Sequence, residues 1–472
     1  MMPDHATPHT SGKLRYSPAT HAPLTFHDAT PRFAGGSDSP RAYLERCLAT
    51  IAAREPVVQG WVTINQDGAR AAADASSARW KAGRPLSPID GMPIGIKDLI
   101  ETADMPTQMG SALYAGNFPK RDSAMIQALR AAGAVVLGKT VTTELGMSHP
   151  GPTTNPFDPT RTPGGSSQGS AAVVGANMVP AAIGTQVLGS IIRPAAFCAN
   201  AALKPTQGAL YRGERQGLSQ STAGVHAGSL PDMWMVAAEI AARAGGDPGA
   251  PGLYGDRAPP APCPPRRLAV LEGEGWALVD PRARAQFDQA LERLAARGVG
   301  IIRRGDAPAL EAFERAIADS MALTRDVCAF EMRWTVENLV AQHGIDGLSA
   351  SLAARLEVGR ALTLDAYRTR LAERAAARAA HAALAPLCDA LVSLSCLGPA
   401  PKLGDTGGSD GRIIHTTGNP VMNAATSVLG CPAVTIPVLA VDGLPVGMQL
   451  IGQWHEDEAI TGMAAWVQGA LR

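Results

Sequence analysis

Between Ala171 and Ile192 the chain runs for 22 residues without a charged side chain. Its length suits a bilayer, but Asn177, Pro180, Gln186, Ser190 and several glycines would strand polar groups in lipid. A segment of this kind is stable only inside protein, so it predicts a large core containing polar side chains with work to do. A chain of 472 residues can supply that core. Its 46% hydrophobic content excludes global disorder, and 50 glycines and 37 prolines against 18% charged residues describe turns and close-packed backbone rather than coiled coil. Lys plus Arg balances Asp plus Glu at 42 each, with no basic run. Neither nucleic acid nor a membrane surface is therefore expected as a partner.

Seven cysteines contain no CxxC pair, which reads as reduced, buried thiols. The first twenty residues lack an apolar signal core, and the expected address is cytoplasmic. Residues 1–35, aperiodic and rich in Pro and His, read as a flexible leader. Four histidines there (His5, His9, His21, His27) lack metal-ligand spacing, and no metal site is expected. Ser39-Pro40 opens a helix with Tyr43, Leu44, Cys47, Leu48 and Ile51 at helical spacing. The main domain is expected over 36–472: a core over 36–245, a Pro/Gly linker over 246–267, a helical region over 268–390 and returning strands and helices over 391–472. Leu268–Leu271 reads as a strand, and Asp280-Pro281 starts a helix that Gly298 stops. Strands and helices alternate in both halves, which predicts an α/β layer fold.

Three motifs bear on function. GAVVLGKT, Gly133–Thr140, has the letters of a phosphate loop, but a helix runs into it and its middle is β-branched, so it reads as a helix C-cap followed by a buried strand rather than a nucleotide site. TPGGSSQGSAA, Thr162–Ala172, places paired glycines beside paired serines and runs straight into an apolar stretch, which a linker would not do. GTQVLGSIIRPAAF, Gly184–Phe197, again puts a serine behind a glycine. Serine needs a base, and only His149 of the ten histidines lies near these loops. Lys97, set in the apolar loop GMPIGIKD, is the available base if burial lowers its pKa.

Together these residues resemble the amidase signature family. GMPIGIKD matches its lysine segment, PGGSSQGSAA its Gly/Ser-rich stretch, and GTQVLGSIIRPAAF with ALKPTQG its nucleophile segment, in order and in register. The resemblance implies a single α/β/α domain with a large mixed twisted sheet and a Ser-cisSer-Lys triad. By position, Ser190 is then the nucleophile, Ser166 the bridging serine on a cis peptide after Gly165, and Lys97 the base. Backbone N–H groups of Val187, Leu188, Gly189 and Ser190 are placed for an oxyanion hole. Four positions depart from the common pattern: Gln186 stands where an Asp is usual, Leu188 for a Gly, Arg193 falls one residue late, and Gln168 replaces a small residue.

The expected activity is hydrolysis of C–N bonds in small neutral amides, anilides or carbamates, as in urethane-cleaving amidases, by a monomer or homodimer without cofactor. The runner-up is a component of a glutamine amidotransferase, working with partner chains. Substrate contacts are expected from Met109, Gln186, Leu188, Phe197, Leu210 and Met422, with Met105 and Leu218 nearby and few charges. Residues 209–229 read as a mobile flap over the site.

Overall fold

Strands buried on both faces read as continuous apolar runs rather than as alternation, and PIGIK, AAIGTQ and ALVSL have that texture. The computed structural model describes residues 13–147, 149–213, 217–405 and 416–472. Among them eleven strands form one mixed sheet: β1 (Trp61–Ile64), β2 (Pro93–Lys97), β3 (Val135–Thr140), β4 (Ala181–Gln186), β5 (Ala201–Lys204), β6 (Thr222–Ala227), β7 (Arg267–Val270), β8 (Gly300–Ile302), β9 (Ala390–Leu394), β10 (Ala433–Val441) and β11 (Leu444–Ile451). Their spatial order is β1, β3, β2, β4, β6, β5, β10, β11, β9, β7, β8. Pairing is parallel within β3-β2-β4 and β9-β7-β8 and antiparallel elsewhere.

Successive residues of β3 enter opposite layers. Val135 and Leu137 pack with Leu44, Leu48, Ala172 and Val173, whereas Val136 joins Ile94, Ile96 and Ile183 against Met125, Leu129 and Trp234. Helices therefore cover both faces, and the molecule is a single α/β domain. The uncharged stretch splits into a buried helix, Gln168–Gly175, and the central strand β4. No helix of the described residues is long and apolar enough to cross a membrane.

Several local expectations hold. Ser39 caps the helix Pro40–Val58, accepting from Ala42 N, and Asp280 caps Pro281–Ala295. GAVVLGKT is a helix end and a strand: Gly133 sits at φ +86°, where a Cβ would also strike the Asp90 carboxylate, and β3 follows. Its Lys139 pairs with Asp98 at 2.9 Å inside the protein. The stretch 246–266 contains no helix or strand.

The leader needs correcting. Residues 1–12 lie outside the described set, but 13–35 are packed onto the domain. Tyr16 is buried with its hydroxyl on Pro437 O, and Leu14 N and Tyr16 N donate to Phe157 O and Gly443 O. Phe26 and Phe33 join a cluster with Tyr43 and Trp80, and the Asp232 carboxylate accepts from Phe26 N and His27 N. The segment pairs through scattered side chains rather than a periodic face, so periodicity does not reveal it. The helical region also contains an edge strand, β8, that its three residues are too few to announce.

Candidate active site

Lys97 ends β2, a strand with every residue buried, between parallel neighbours β3 and β4. Its side chain is fully buried, and Nζ lies 2.7 Å from Ser166 Oγ, 2.9 Å from Thr185 Oγ1 and 3.3 Å from Thr185 O. Burial holds the amine well below the ordinary lysine range. The adjacent Asp98 gives Lys97 no help in staying charged, because it turns to Lys139 and accepts from Gln108 N. Neighbouring His226 is pushed down to about 3, chiefly by burial, so it is neutral beside the site.

The Gly/Ser stretch is fixed from both sides. Gly164 lies at φ +90°, and a Cβ there would come within 2.6 Å of Pro194 Cα, so the turn admits only glycine. The Gly165–Ser166 peptide is cis. Three serines then divide their duties: Ser167 Oγ donates to Thr185 O at 3.2 Å, Ser170 Oγ donates to Ile183 O at 2.8 Å, and Ser166 Oγ meets Lys97. Ser167 and Ser170 anchor the helix to β4, which leaves Ser166 as the hydroxyl joined to the amine.

Ser190 sits on the loop after β4. Gln186, at the strand end, accepts from Ile191 N at 2.8 Å and Ile192 N at 3.1 Å through Oε1, while its Nε2 donates to Ser427 Oγ at 3.2 Å. Ser427 Oγ in turn donates to Leu188 O at 2.7 Å, Arg193 N donates to Gly189 O at 3.1 Å, and Ser167 N donates to Ser190 O at 3.3 Å. These bonds engage the loop's carbonyls. Among the described residues no acceptor meets the N–H groups of Val187, Leu188, Gly189 or Ser190, and Ser190 Oγ has no hydrogen-bond partner. All four residues line a cavity of about 500 Å³. A row of free amides beside a hydroxyl, near a buried amine whose pKa burial lowers, is an arrangement suited to acyl transfer.

The rest of the cavity wall differs from expectation. Of the anticipated substrate contacts only Leu188 is on it. Gln186 is spent bracing the loop. Phe197 lies behind the wall against Gly418, and Leu210 and Met105 belong to the main core. Met422 is buried, its carbonyl accepting from Gln449 Nε2 at 2.8 Å. Met109, at φ +56°, ties Asp98 to Leu145 through its backbone, and Leu218 packs with Leu352 and Met147. The wall opposite Ser190 comes instead from Met321, Arg325 and Cys328 on the helix Ser320–His343, with Arg355, Glu274 and Asp319. It is thus charged where few charges were expected. Met321, Arg325 and Cys328 share one helical face, but that spacing looks like any amphipathic stripe.

The expected flap also changes. Residues 222–227 are the buried strand β6, and Arg212 is clamped by Asp247, Leu218 O and Ser221 O. Tyr211 to Gly213 border a separate small cleft with Leu99 and Arg121. Glu214 to Gln216 lie outside the described residues.

Comparison with known proteins gives the family. A chain of the glutamyl-tRNA(Gln) amidotransferase from Chloroflexus aurantiacus is 45% identical over 195 residues, spanning 40% of each chain. Its counterpart from Acidothermus cellulolyticus is 32% identical over 92% of this chain and 90% of its own. A crystal structure of an amidase superposes with a TM-score of 0.83 at 25% identity, covering 95% of this chain and all of that one. The Amidase family model matches residues 42–461. With that match spanning most of the sheet and every residue of the site, the chain belongs to the Amidase family, enzymes acting on C–N bonds.

Proposed function

We propose that this chain hydrolyses the C–N bond of a small neutral amide, anilide or carbamate through an acyl-enzyme on Ser190. The observation that carries the reading is the buried Lys97–Ser166 contact beside the cavity in which Ser190 stands under four free amides. Neutral Lys97 takes a proton from the Ser166 hydroxyl, which takes one from Ser190 as its oxygen attacks the acyl carbon. The Ser190 hydroxyl turns to Ser166 when substrate fills the cavity. Collapse returns the proton to the leaving nitrogen, and water repeats the sequence on the ester.

A neutral substrate fits because the wall's charges are largely matched from behind. Asp319 meets Arg370 at 2.8 Å and Arg325 meets Asp326 at 2.8 Å. Burial, with Asp319 nearby, raises the pKa of Glu274, whose carboxylate accepts from Met321 N. An ionised substrate would lose its hydration without gaining a counter-charge from Asp319 or Arg325, which already hold partners. Leu188, in place of a smaller residue, limits the acyl side.

The amidotransferase reading has one observation in its favour, the likeness to glutamyl-tRNA(Gln) amidotransferase chains. Turnover by the purified chain separates the two. A p-nitroanilide or aryl carbamate should be cleaved while free glutamine is not, and a fluorophosphonate should add to Ser190 alone. Faster release of ammonia from glutamine than from any anilide or carbamate overturns the substrate assignment, and an adduct on Ser166 or a cysteine overturns the nucleophile.

A further inference from the structure

The loop that carries Ser190 ends in a charge with no counter-ion among the described residues. Arg193 is 4% exposed, and its guanidinium donates only to neutral oxygens: Nε to Thr417 O at 3.0 Å, Nη2 to Gly165 O at 2.6 Å and to Thr417 Oγ1 at 3.1 Å. Nη1 has no hydrogen-bond partner, and no carboxylate among the described residues reaches the group. Lys139, equally buried, has Asp98 beside it. At the start of the same loop stands the neutral amide of Gln186, its oxygen spent on Ile191 N and Ile192 N.

A buried cation without a partner is costly, and the side chain is retained as a cation all the same: burial lowers Arg193 only to about 10, so it is charged at neutral pH. Its place gives the cost a use. Arg193 lines the cavity together with Val187 to Ser190, and a Cβ on Gly189 would lie 3.2 Å from Nη1. The cation thus sits directly behind the amide row, in a low-dielectric setting where charge acts strongly.

We propose that Arg193 is a positioning residue whose unbalanced charge supplies the field that stabilises the oxyanion formed over the Val187–Ser190 amides. The inference rests on Ser190 as nucleophile. As the Ser190 Oγ–carbon bond forms, the carbonyl π pair moves onto oxygen and the serine proton leaves by way of Ser166 to Lys97. The oxygen's negative charge then exists only in the tetrahedral species, so the cation favours that species over bound substrate. On collapse the pair re-forms C=O, the C–N bond breaks and the nitrogen takes the proton. Gln186 is the complement of this arrangement, since a carboxylate in its place would neutralise the field.

The test compares Arg193→Met and Arg193→Lys on one anilide or carbamate substrate. Arg193→Met is expected to lower kcat about 100-fold, on the scale of a lost oxyanion-hole group, with KM changed less than about threefold. Arg193→Lys, which keeps the charge but not the fork, should recover at least about tenfold of that loss. Parent-like turnover by Arg193→Met, or Arg193→Lys no faster than Arg193→Met, overturns the inference. If the methionine variant does not fold, Gln186→Glu decides when measured against Ser427→Ala: the first keeps the acceptor for both N–H groups, loses the Nε2 bond to Ser427 Oγ and adds a negative charge, and the second removes the same bond without the charge. Slower turnover by the first than by the second supports the field, and equal or faster turnover overturns it. Fluorophosphonate labelling of the parent separates the two levels. Failure to label Ser190 removes the underlying reading as well, whereas labelled Ser190 with an unimpaired methionine variant removes this inference alone.

Discussion

Titrating Lys97 links activity and stability through a single proton. The amine is fully buried, with three oxygens and no carboxylate around it. Its folded pKa is therefore depressed below the ordinary 10.5 by desolvation. Catalysis needs the neutral amine, so kcat/KM should rise tenfold per pH unit below that depressed pKa and level off above it. The same proton acts on stability with a defined sign. Between the folded pKa and about 10.5 the unfolded chain holds a proton that the folded one does not, so stability rises with pH by about 1.4 kcal/mol per unit. The contribution is complete above the unfolded value and is lost as pH falls through the folded one. Lys97→Met removes the titration and leaves two hydroxyls, Ser166 and Thr185, each short of a bond worth about 1 kcal/mol. Urea midpoints measured against pH for both proteins give the difference directly, because Lys204, held down to about 8 by burial, titrates alike in each. The kinetic midpoint and the lower corner of the parent's extra stability slope should coincide. A flat activity profile through this range, or the same slope in Lys97→Met, refutes a neutral Lys97 as the base.

Ser190→Ala and Ser166→Ala should each lower kcat by about 10,000-fold, and the double variant should be little worse than either, since the relay acts as a unit. Additive losses in steady-state kinetics would contradict it. Asp98→Asn leaves the buried Lys139 ammonium without its carboxylate and should cost about 3–5 kcal/mol in urea unfolding. An unchanged midpoint would show that the pair carries little. Gln186→Leu orphans the N–H groups of Ile191 and Ile192 at about 1–3 kcal/mol each, and the loosened loop should react more slowly with a fluorophosphonate. Parent-like labelling would remove Gln186 from the brace.

The proposed catalytic residues are legible in the sequence because the backbone beside them is held by close contacts that admit few residue types. Gly164 is fixed by Pro194, Ser167 and Ser170 are fixed by β4, and Lys97 is the last residue of a strand that admits only small or apolar neighbours. Such constraints leave letters in sequence, and the sheet's apolar runs do the same. The leader leaves none, because Tyr16 docks on Phe157 while Phe26 and Phe33 dock together on Tyr43 and Trp80, without a repeating face.

The cavity wall follows the opposite rule. It is assembled from Glu274, from one face of the helix Ser320–His343, from Arg355 and from the turn 416–420, segments that meet only after the sheet has formed. Residues near the motifs are a poor guide to it. Phe197 lies one helical turn beyond Arg193 yet packs against Gly418 rather than lining the cavity, while Arg325, more than a hundred positions away in the sequence, lines it together with Ser190. Chemistry in this chain is therefore set by local backbone geometry, and the shape and charge of the opposite wall are set by tertiary packing. Substitutions on the Met321–Cys328 face can change which acyl group is accepted while Lys97, Ser166 and the amide row stay in place, because none of the hydrogen bonds that position those groups originates on that helix.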